Sequence, residues 1–273
     1  MPFKKTFLAT ALGLAALPMA ADDDFGLYTE LTAEKKLTET LSADFGLGFR
    51  SEQKLKSASR WDISAGASYK PFKFLKFSAG YVYMYERSPM ESEANFTKKG
   101  KPNGYNVDHG YWDSKHRAFA DVTGKLKIGR VSLSLRERYQ FTHTMGTDHK
   151  RTRFRDPVQP GYVGESHVWN GEEFYECETV TRHKSHKNRH YLRSRLAAEY
   201  NIRHCPVTPF VSYELSNNLS KGFALDKTRL STGADWKITK QHILSFSYMW
   251  QDGQDDDNNN DIHAIEIGYK FKF

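Results

Sequence analysis

Charged side chains recur at every second position along several stretches of this chain, and their types and spacing could support chemistry. Residues two apart on a β-strand point to the same face, so these side chains would share one polar surface. Arginine forks pair well with carboxylates, so such a surface could close an enclosed interior or line a narrow path for small polar or charged solutes. We prefer the narrow, partly closed interior. The candidate residues are Arg117, Asp121, Arg136, Arg138, Arg193, Arg195, Glu199, Glu214, Arg229 and Glu266.

Histidines and aspartates offer two candidate metal sites. His183, His186 and His190 are spaced three and four residues apart, which would gather imidazoles around a metal on a helix. However, this run leads into an alternating stretch, and its lysines and arginines repel cations. The acidic run at 255–257 offers oxygen ligands for Ca²⁺ but lacks the ordered spacing of a calcium loop. We therefore predict no metal site and no cofactor.

Hydrolytic chemistry would need a nucleophile, a base and an acid that orients the base. The chain contains no Gly-x-Ser-x-Gly motif. Asp261 and His263 belong to one short stretch and would share a strand face, and His143 is expected near the same rim. We therefore predict no catalytic residues. An enzyme acting on lipid or peptide at that rim is kept as the alternative function.

The elements that would position these residues are strands. Eleven stretches alternate apolar and polar residues with period two, which predicts strands with two different faces. Short connections alternate with long ones, which is typical of an up-and-down outer-membrane barrel. Such barrels have an even strand number in bacterial single-chain proteins, so we expect ten or twelve strands. Long polar loops are predicted at 51–59, 87–114, 145–187, 217–223 and 251–260, and short turns at 35–38, 70–73, 127–129, 203–206 and 239–241.

The last stretch has the clearest alternation. It resembles the final strand of Gram-negative outer-membrane barrels, which closes the barrel, ends in an aromatic residue and carries the assembly signal. This resemblance implies contact with the barrel-assembly machinery. The residues of its apolar face are Ile265, Ile267, Tyr269, Phe271 and Phe273.

Residues 1–21 are predicted to be a cleaved secretory signal peptide. Lys4 and Lys5 supply the positive start, residues 6–17 are a short apolar segment, and small residues precede Ala21. The remaining domain, residues 22–273, has 252 residues and a net charge of +5 once those two lysines are removed. Its Cys177 and Cys205 are expected on opposite sides of the membrane and hence unpaired.

Composition allows a barrel in a membrane or in water. The mean hydropathy is −0.70, which suits a membrane barrel because only alternate strand residues face lipid. A soluble barrel with its apolar face inward is the alternative. Charged residues on nearly every polar face and aromatics gathered at strand ends favour the membrane. The fold class is therefore all-β, a transmembrane antiparallel up-and-down β-barrel with long extracellular loops and short periplasmic turns.

Short motifs spread over nearly the whole mature chain are similar to one family. They are Leu27-Tyr28-Thr29-Glu30-Leu31 with Lys35-Lys36-Leu37, Phe49-Arg50, Gly80-Tyr81, Tyr191-Leu192-Arg193-Ser194-Arg195-Leu196, and Pro209-Phe210-Val211-Ser212-Tyr213-Glu214-Leu215. The chain resembles the outer-membrane β-barrel family known as domain of unknown function number 2490, and departs from it in the long loops. The resemblance implies fold and location, and it transfers no site residue.

The sequence thus predicts an integral protein of the Gram-negative outer membrane. Its function is expected to be a narrow pore or a structural surface barrel, with a barrel enzyme as the alternative. Outer-membrane lipid and lipopolysaccharide are the expected partners, and we expect no contact with nucleic acid. A modest positive balance suits the phosphates of lipopolysaccharide.

Overall fold

The computed structural model describes residues 24–253 and 261–273, and strands make up most of them. The predicted signal peptide at 1–21 and the acidic run at 255–257 lie outside the described residues. In chain order the strands are β1 (Asp24–Lys36), β2 (Leu41–Glu52), β3 (Ser57–Phe72), β4 (Leu75–Ser88), β5 (Glu91–Phe96), β6 (Pro102–Asp108), β7 (Tyr111–Ile128), β8 (Val131–Thr144), β9 (Thr147–Pro157), β10 (His167–Trp169), β11 (Glu172–Lys184), β12 (Lys187–Tyr200), β13 (Val207–Asn218), β14 (Ala224–Lys237), β15 (His242–Gly253) and β16 (Ile262–Lys272), with a 3₁₀ turn at Leu219–Lys221.

Eleven strands close into a barrel, in the order β1-β16-β15-β14-β13-β12-β8-β7-β4-β3-β2. They correspond to the eleven alternating stretches of the sequence. The expected count of ten or twelve is wrong. An odd number of alternating strands leaves the first and last pointing the same way, and β1 and β16 accordingly pair in parallel, from Asp24 beside Ile262 to Glu34 beside Lys272. A parallel ladder forms its own regular hydrogen bonds, so closure does not require an even number.

The barrel is polar inside and apolar outside. On the outer face Leu47, Trp61 and Leu196 are 43%, 54% and 55% exposed. On the inner face Glu214 and Gln251 are buried. A belt of exposed apolar side chains is what the lipid-facing surface of a membrane barrel presents. Among the described residues, no helix is long and apolar enough to cross a membrane.

The segments Tyr85–Lys115 and Thr144–Lys187 form a second compact unit. It holds a five-stranded sheet in the order β10-β11-β9-β6-β5. The prediction of long loops at 87–114 and 145–187 is therefore wrong. These strands are short or largely polar, so their alternation is weak. Their apolar cluster is small: Val107, Phe154 and Phe174 are buried, with Tyr105 and Trp169 packed against them.

The two cysteines are free thiols, and both are exposed. Cys177 lies in β11 of the second unit, and Cys205 lies in the turn between β12 and β13.

Candidate functional site

The ten charged residues singled out from the sequence lie on the inner face of the barrel strands. Alternation places them there, because they share strand parity with buried residues and not with the exposed apolar row. They come from six strands. Arg117 and Asp121 lie on β7, Arg136 and Arg138 on β8, Arg193, Arg195 and Glu199 on β12, Glu214 on β13, Arg229 on β14, and Glu266 on β16.

Glu214 is the centre of the largest charged cluster. It accepts a hydrogen bond of 2.7 Å from Arg136 and further bonds from Arg193. The first contact joins β8 to β13 although β12 lies between them, which the inward curvature of the wall allows. Arg229 is the cross-strand neighbour of Glu214 on β14, and it donates to Gln251 at 2.6 Å. Glu214 therefore faces several guanidinium groups, so positive charge is in excess around it.

A second cluster is built on β7 and β8. Arg138 donates two hydrogen bonds to Asp121, at 2.6 and 3.0 Å, and its guanidinium lies 4.0 Å from the ring of Phe119. Phe119 in turn lies against Gly80, where an added Cβ would come within 2.7 Å of the ring. Arginine, aromatic ring and glycine thus form one packed layer along the inner wall of β8, β7 and β4.

The remaining predicted residues make separate, weaker contacts. Arg117 donates to Thr142 at 3.3 Å, and Arg195 donates to Ser212 at 3.1 Å. Ser247 donates to Glu266 at 2.8 Å. Lys125 and Glu199 form an ion pair of 3.0 Å whose side chains are 45% and 38% exposed. Glu199 is thus more open to its surroundings than Glu214 or Asp121.

Uncharged and aromatic members of the inner face were missed by the search for charges. Tyr28 donates to Glu52 at 3.0 Å, and the Arg50 guanidinium lies 4.3 Å from the Tyr28 ring. Met249 and Ala264 are fully buried beside Tyr28. These residues alternate in step with the charged ones, so strand parity alone would have placed them.

Water has little access to the middle of this inner face. Gln140 is 4% exposed, Asp121 7% and Met249 0%, and these residues come from three different strands. Gln140 also accepts a hydrogen bond from Arg193 at 3.3 Å. Neighbouring side chains therefore cover these inner-face positions, and Met84 and Met249 are fully buried in the same way.

Histidines at the rim contact neighbours on the outer face. His263 pairs with Tyr248, and Asp261 accepts a hydrogen bond from Trp250 at 2.8 Å. His143 lies 2.6 Å from the amide oxygen of Asn188. In these contacts of the described residues, Asp261, His263 and His143 are each bound to a different group.

The histidines at 183–190 are also bound to different partners. His183 lies 2.7 Å from Asp148 on β9, whereas His190 lies 2.7 Å from the Tyr139 hydroxyl on β8. Within residues 24–253 and 261–273, no three side chains of His, Cys, Asp or Glu are arranged to hold a metal ion.

The C-terminal strand lies between β15 and β1 in the closed barrel. Its backbone is bound on both sides, since Phe273 donates to the Glu34 carbonyl of β1 at 3.0 Å and Lys272 donates to the carbonyl of Gln241, just before β15, at 2.8 Å. The five residues predicted for its apolar face, Ile265, Ile267, Tyr269, Phe271 and Phe273, share one strand parity, opposite to that of Glu266.

Comparison with known protein families identifies one match. The family described as "Protein of unknown function (DUF2490)" matches residues 25–262. The chain belongs to this family. The resemblance inferred from the short motifs is therefore confirmed. Several of those DUF2490-like motifs supply inner-face groups described above, including Arg50, Gly80, Arg193 and Glu214.

A solved structure supports the same architecture for this DUF2490 member. The β domain of the Bordetella autotransporter BrkA superposes with a TM-score of 0.51 at 12% identity, covering 85% of this chain and 82% of that one. At this identity the likeness concerns the fold alone, which is an outer-membrane-type β-barrel. A comparison with curated proteins found no match.

Proposed function

We propose that this protein is an integral outer-membrane barrel with a side-chain-filled interior, and that its role is to hold the five-stranded sheet at the cell surface. The observation that carries the proposal is the buried cluster around Glu214, which fills the interior with paired charges. The exposed apolar outer face supports a position in lipid. The two longest connections of the barrel contain the sheet, and long connections of such barrels are extracellular.

A narrow pore for small anions is the second candidate, and the excess of arginine favours it. Arg136, Arg193 and Arg229 face a single carboxylate, Glu214, so a path beside them would attract anions. The two candidates differ in whether water and ions cross the barrel.

Single-channel conductance of the refolded mature protein in a planar bilayer separates them. We expect no stable steps from protein whose folded state is verified by its heat-modifiable mobility on a gel. Replacing Glu214 by alanine should then create conductance, because it removes the carboxylate that holds Arg136 and Arg193. Stable steps from the unaltered protein would overturn the closed interior. In that case Arg193→Gln with Arg195→Gln should shift the ion selectivity towards cations.

The expected partners follow from the same position. The outer face would contact membrane lipid and lipopolysaccharide, and the aromatic face of β16 would be the element read by the assembly machinery. Both contacts lie outside the barrel interior, so they hold for either function.

A further inference from the structure

One strand of the second unit presents a row of arginines on one face. Arg151, Arg153 and Arg155 alternate along β9 with Thr152 and Phe154, which are both 7% exposed. Phe154 belongs to the apolar cluster of the sheet, so the arginines occupy the opposite face. Strand geometry spaces them about 6.8 Å apart.

Neighbouring strands turn this row into a depression. Arg155 is paired with Glu176 and Arg153 with Glu178 on β11, while Asn106 of β6 is paired with Arg153 from the other side. The depression has a volume of about 390 Å³, which falls in the size range of small-molecule sites. Its lining consists of Asn106, Arg151, Arg153, Arg155, Glu176, Glu178 and Arg182.

Positive charge in the depression is only partly compensated. Arg151 is bound to Asp108. Arg153 reaches Glu178 only at 3.4 Å, and the two side chains are 36% and 66% exposed. Arg182 forms no ion pair within the described part of the chain. Within the lining itself, four guanidinium groups share two carboxylates, while Asp108 and Glu93 act on Arg151, and Asp156 acts on Arg155, from outside it.

Arg155 is held by neutral oxygens. It donates to the carbonyls of Tyr105 at 3.0 Å and Phe154 at 2.7 Å, and to the Asn106 amide oxygen at 2.5 Å. These bonds orient its fork without neutralising it. Burial and the nearby Arg153 guanidinium lower the pKa of Arg155 from its ordinary value, as expected where like charges crowd together.

The mixture of groups indicates the class of ligand. Guanidinium forks bind carboxylates and phosphates through two parallel hydrogen bonds. The Glu176 and Glu178 carboxylates accept hydrogen bonds, and the Asn106 amide can both donate and accept. A ligand suited to all three carries one anionic group and several hydroxyls.

We propose that this depression, the arginine groove, binds an acidic sugar through a carboxylate or phosphate group held by Arg153 and Arg182, with sugar hydroxyls donating to Glu176 and Glu178. This proposal depends on the proposed function in one respect only, because the position at the cell surface decides from which side of the membrane the sugar arrives. The binding itself needs no open barrel, so a conducting barrel would leave it standing.

Titration calorimetry of the full mature protein in detergent tests the site. The probes are glucuronate and glucose 1-phosphate, which distinguish the two anionic groups, with glucose as the neutral control. We expect heat of binding for at least one charged sugar, none for glucose, and weakening by added salt. Binding of glucose as strong as that of the charged sugars, or binding of none of the three, overturns the proposal.

Variants locate the binding. Arg153→Gln with Arg182→Gln should weaken binding of the sugar at least about tenfold, since both charge-assisted hydrogen-bond donors to its anionic group are lost. Lys98→Gln with Lys99→Gln, in the β5–β6 turn, removes the same charge and should leave affinity unchanged. Circular dichroism verifies that both variants fold. If the variant with Arg153→Gln and Arg182→Gln does not fold, Arg153→Lys with Arg182→Lys is used in its place, because it keeps the charge. Equal weakening by both glutamine pairs would overturn the assigned groove, as would full displacement by an equal concentration of inorganic phosphate.

Discussion

Glu214 is the residue on which the inner charges of the barrel depend. Its carboxylate is 6% exposed, and it joins guanidinium groups from two other strands. An unpaired charge in such a place is costly, because the low-dielectric interior offers no water to replace the lost partner. The stability of the interior should therefore be sensitive to this single side chain.

Glu214→Gln should lower the free energy of unfolding by about 3 kcal/mol, because it leaves buried guanidinium groups without their carboxylate. Urea unfolding in phospholipid vesicles, followed by tryptophan fluorescence, measures the change. The matched control is Glu199→Gln, whose pair with Lys125 is exposed. That change should cost no more than about 1 kcal/mol. Equal losses in the two variants would contradict the distinction.

Neighbouring atoms approach Gly80 so closely that a larger side chain would not fit there. A Cβ at this position would lie 2.7 Å from the Phe119 ring and 2.8 Å from the backbone oxygen of Ala65. The oxygen belongs to an adjacent strand and cannot move without disturbing the sheet.

Gly80→Ala should therefore destabilise the barrel by about 1 to 3 kcal/mol through overpacking. The temperature at which the folded band disappears on a gel reports the change. Gly124→Ala is the control, because no atom lies within 4 Å of the added Cβ there. If Gly124→Ala shifted that temperature as much, the clash would not be its cause.

The seam between β1 and β16 is the element that makes an odd-stranded barrel possible. Its register places Thr29 beside Ile267. Neighbouring strands lie about 4.8 Å apart, which is within the range that a disulfide can span.

Cysteines at Thr29 and Ile267 should cross-link under mild oxidation, in a background where Cys177 and Cys205 are serine. Mobility on a non-reducing gel reports the bond. Cysteines at Thr29 and Tyr269 are the control, because two further residues add about 6.6 Å along the strand and prevent bonding. Cross-linking of the control pair alone would show a different register, and failure of both would remove the parallel seam.

An ion pair joins β6 to β9 in the second sheet. Asp108 and Arg151 are cross-strand partners, and hydrogen bonds from Arg151 hold the pKa of the Asp108 carboxyl below its ordinary value of 3.8. A carboxyl whose pKa is lowered by folding stabilises the folded state above its unfolded pKa. This contribution is lost as the pH falls through the folded pKa.

Hydrogen exchange of β6 and β9, corrected for the intrinsic rate, should show protection that is steady above about pH 4 and declines below it. Asp108→Asn should reduce protection at neutral pH and remove most of the acid decline. Asp148→Asn is the control, because its contact with His183 is exposed and lies outside the β6–β9 pair. An unchanged acid decline in Asp108→Asn would show that another group causes it.

At the scale of the whole molecule, the C-terminal aromatic residue connects the fold to its expected assembly. The Phe273 side chain is 54% exposed and stacks on Phe271 with ring centroids 5.4 Å apart. More than half of the residue is accessible, so its position suits recognition from outside.

Phe273→Ser should lower the amount of protein in the outer membrane severalfold while leaving refolding of the purified chain in detergent nearly unchanged. The serine keeps the backbone bonds to β1 and removes only the ring. Phe273→Tyr retains an aromatic ring and should accumulate normally. Immunoblotting of membrane fractions measures the first effect, and a matching defect in purified refolding would assign the residue to stability.

Most of what could be predicted followed from strand parity, which is the face of the strand that a residue occupies. The inner position of Arg193 and the outer position of Leu196 both follow from alternation, which is a local property of the chain. Which residue of another strand a side chain contacts does not follow from its neighbours in the sequence. Glu137 interrupts an apolar row of β8 for no reason visible in that row, and the structure shows its partner to be Ser194 on β12, which donates to it at 2.6 Å.

The second sheet could not be foreseen for a related reason. Its strands pair across a large sequence separation, as in β6 with β9, and each contributes few apolar residues. The arginine groove likewise depends on three strands meeting. Arg151, Arg153 and Arg155 alternate visibly in the sequence, but nothing near them predicts Asn106 as a neighbour.

The parallel pairing of β1 with β16 also determines at which end of the barrel a fused reporter protein would lie. Asp24 lies beside Ile262 at one end of the barrel, and Lys272 lies beside Glu34 at the other. An even-stranded barrel brings the start of its first strand and the end of its last strand to the same end of the barrel, whereas here they lie at opposite ends. In the proposed outer-membrane position, a fluorescent or epitope tag joined ahead of β1 and another joined after β16 would therefore report two different environments, and the choice of fusion site would decide which one is observed.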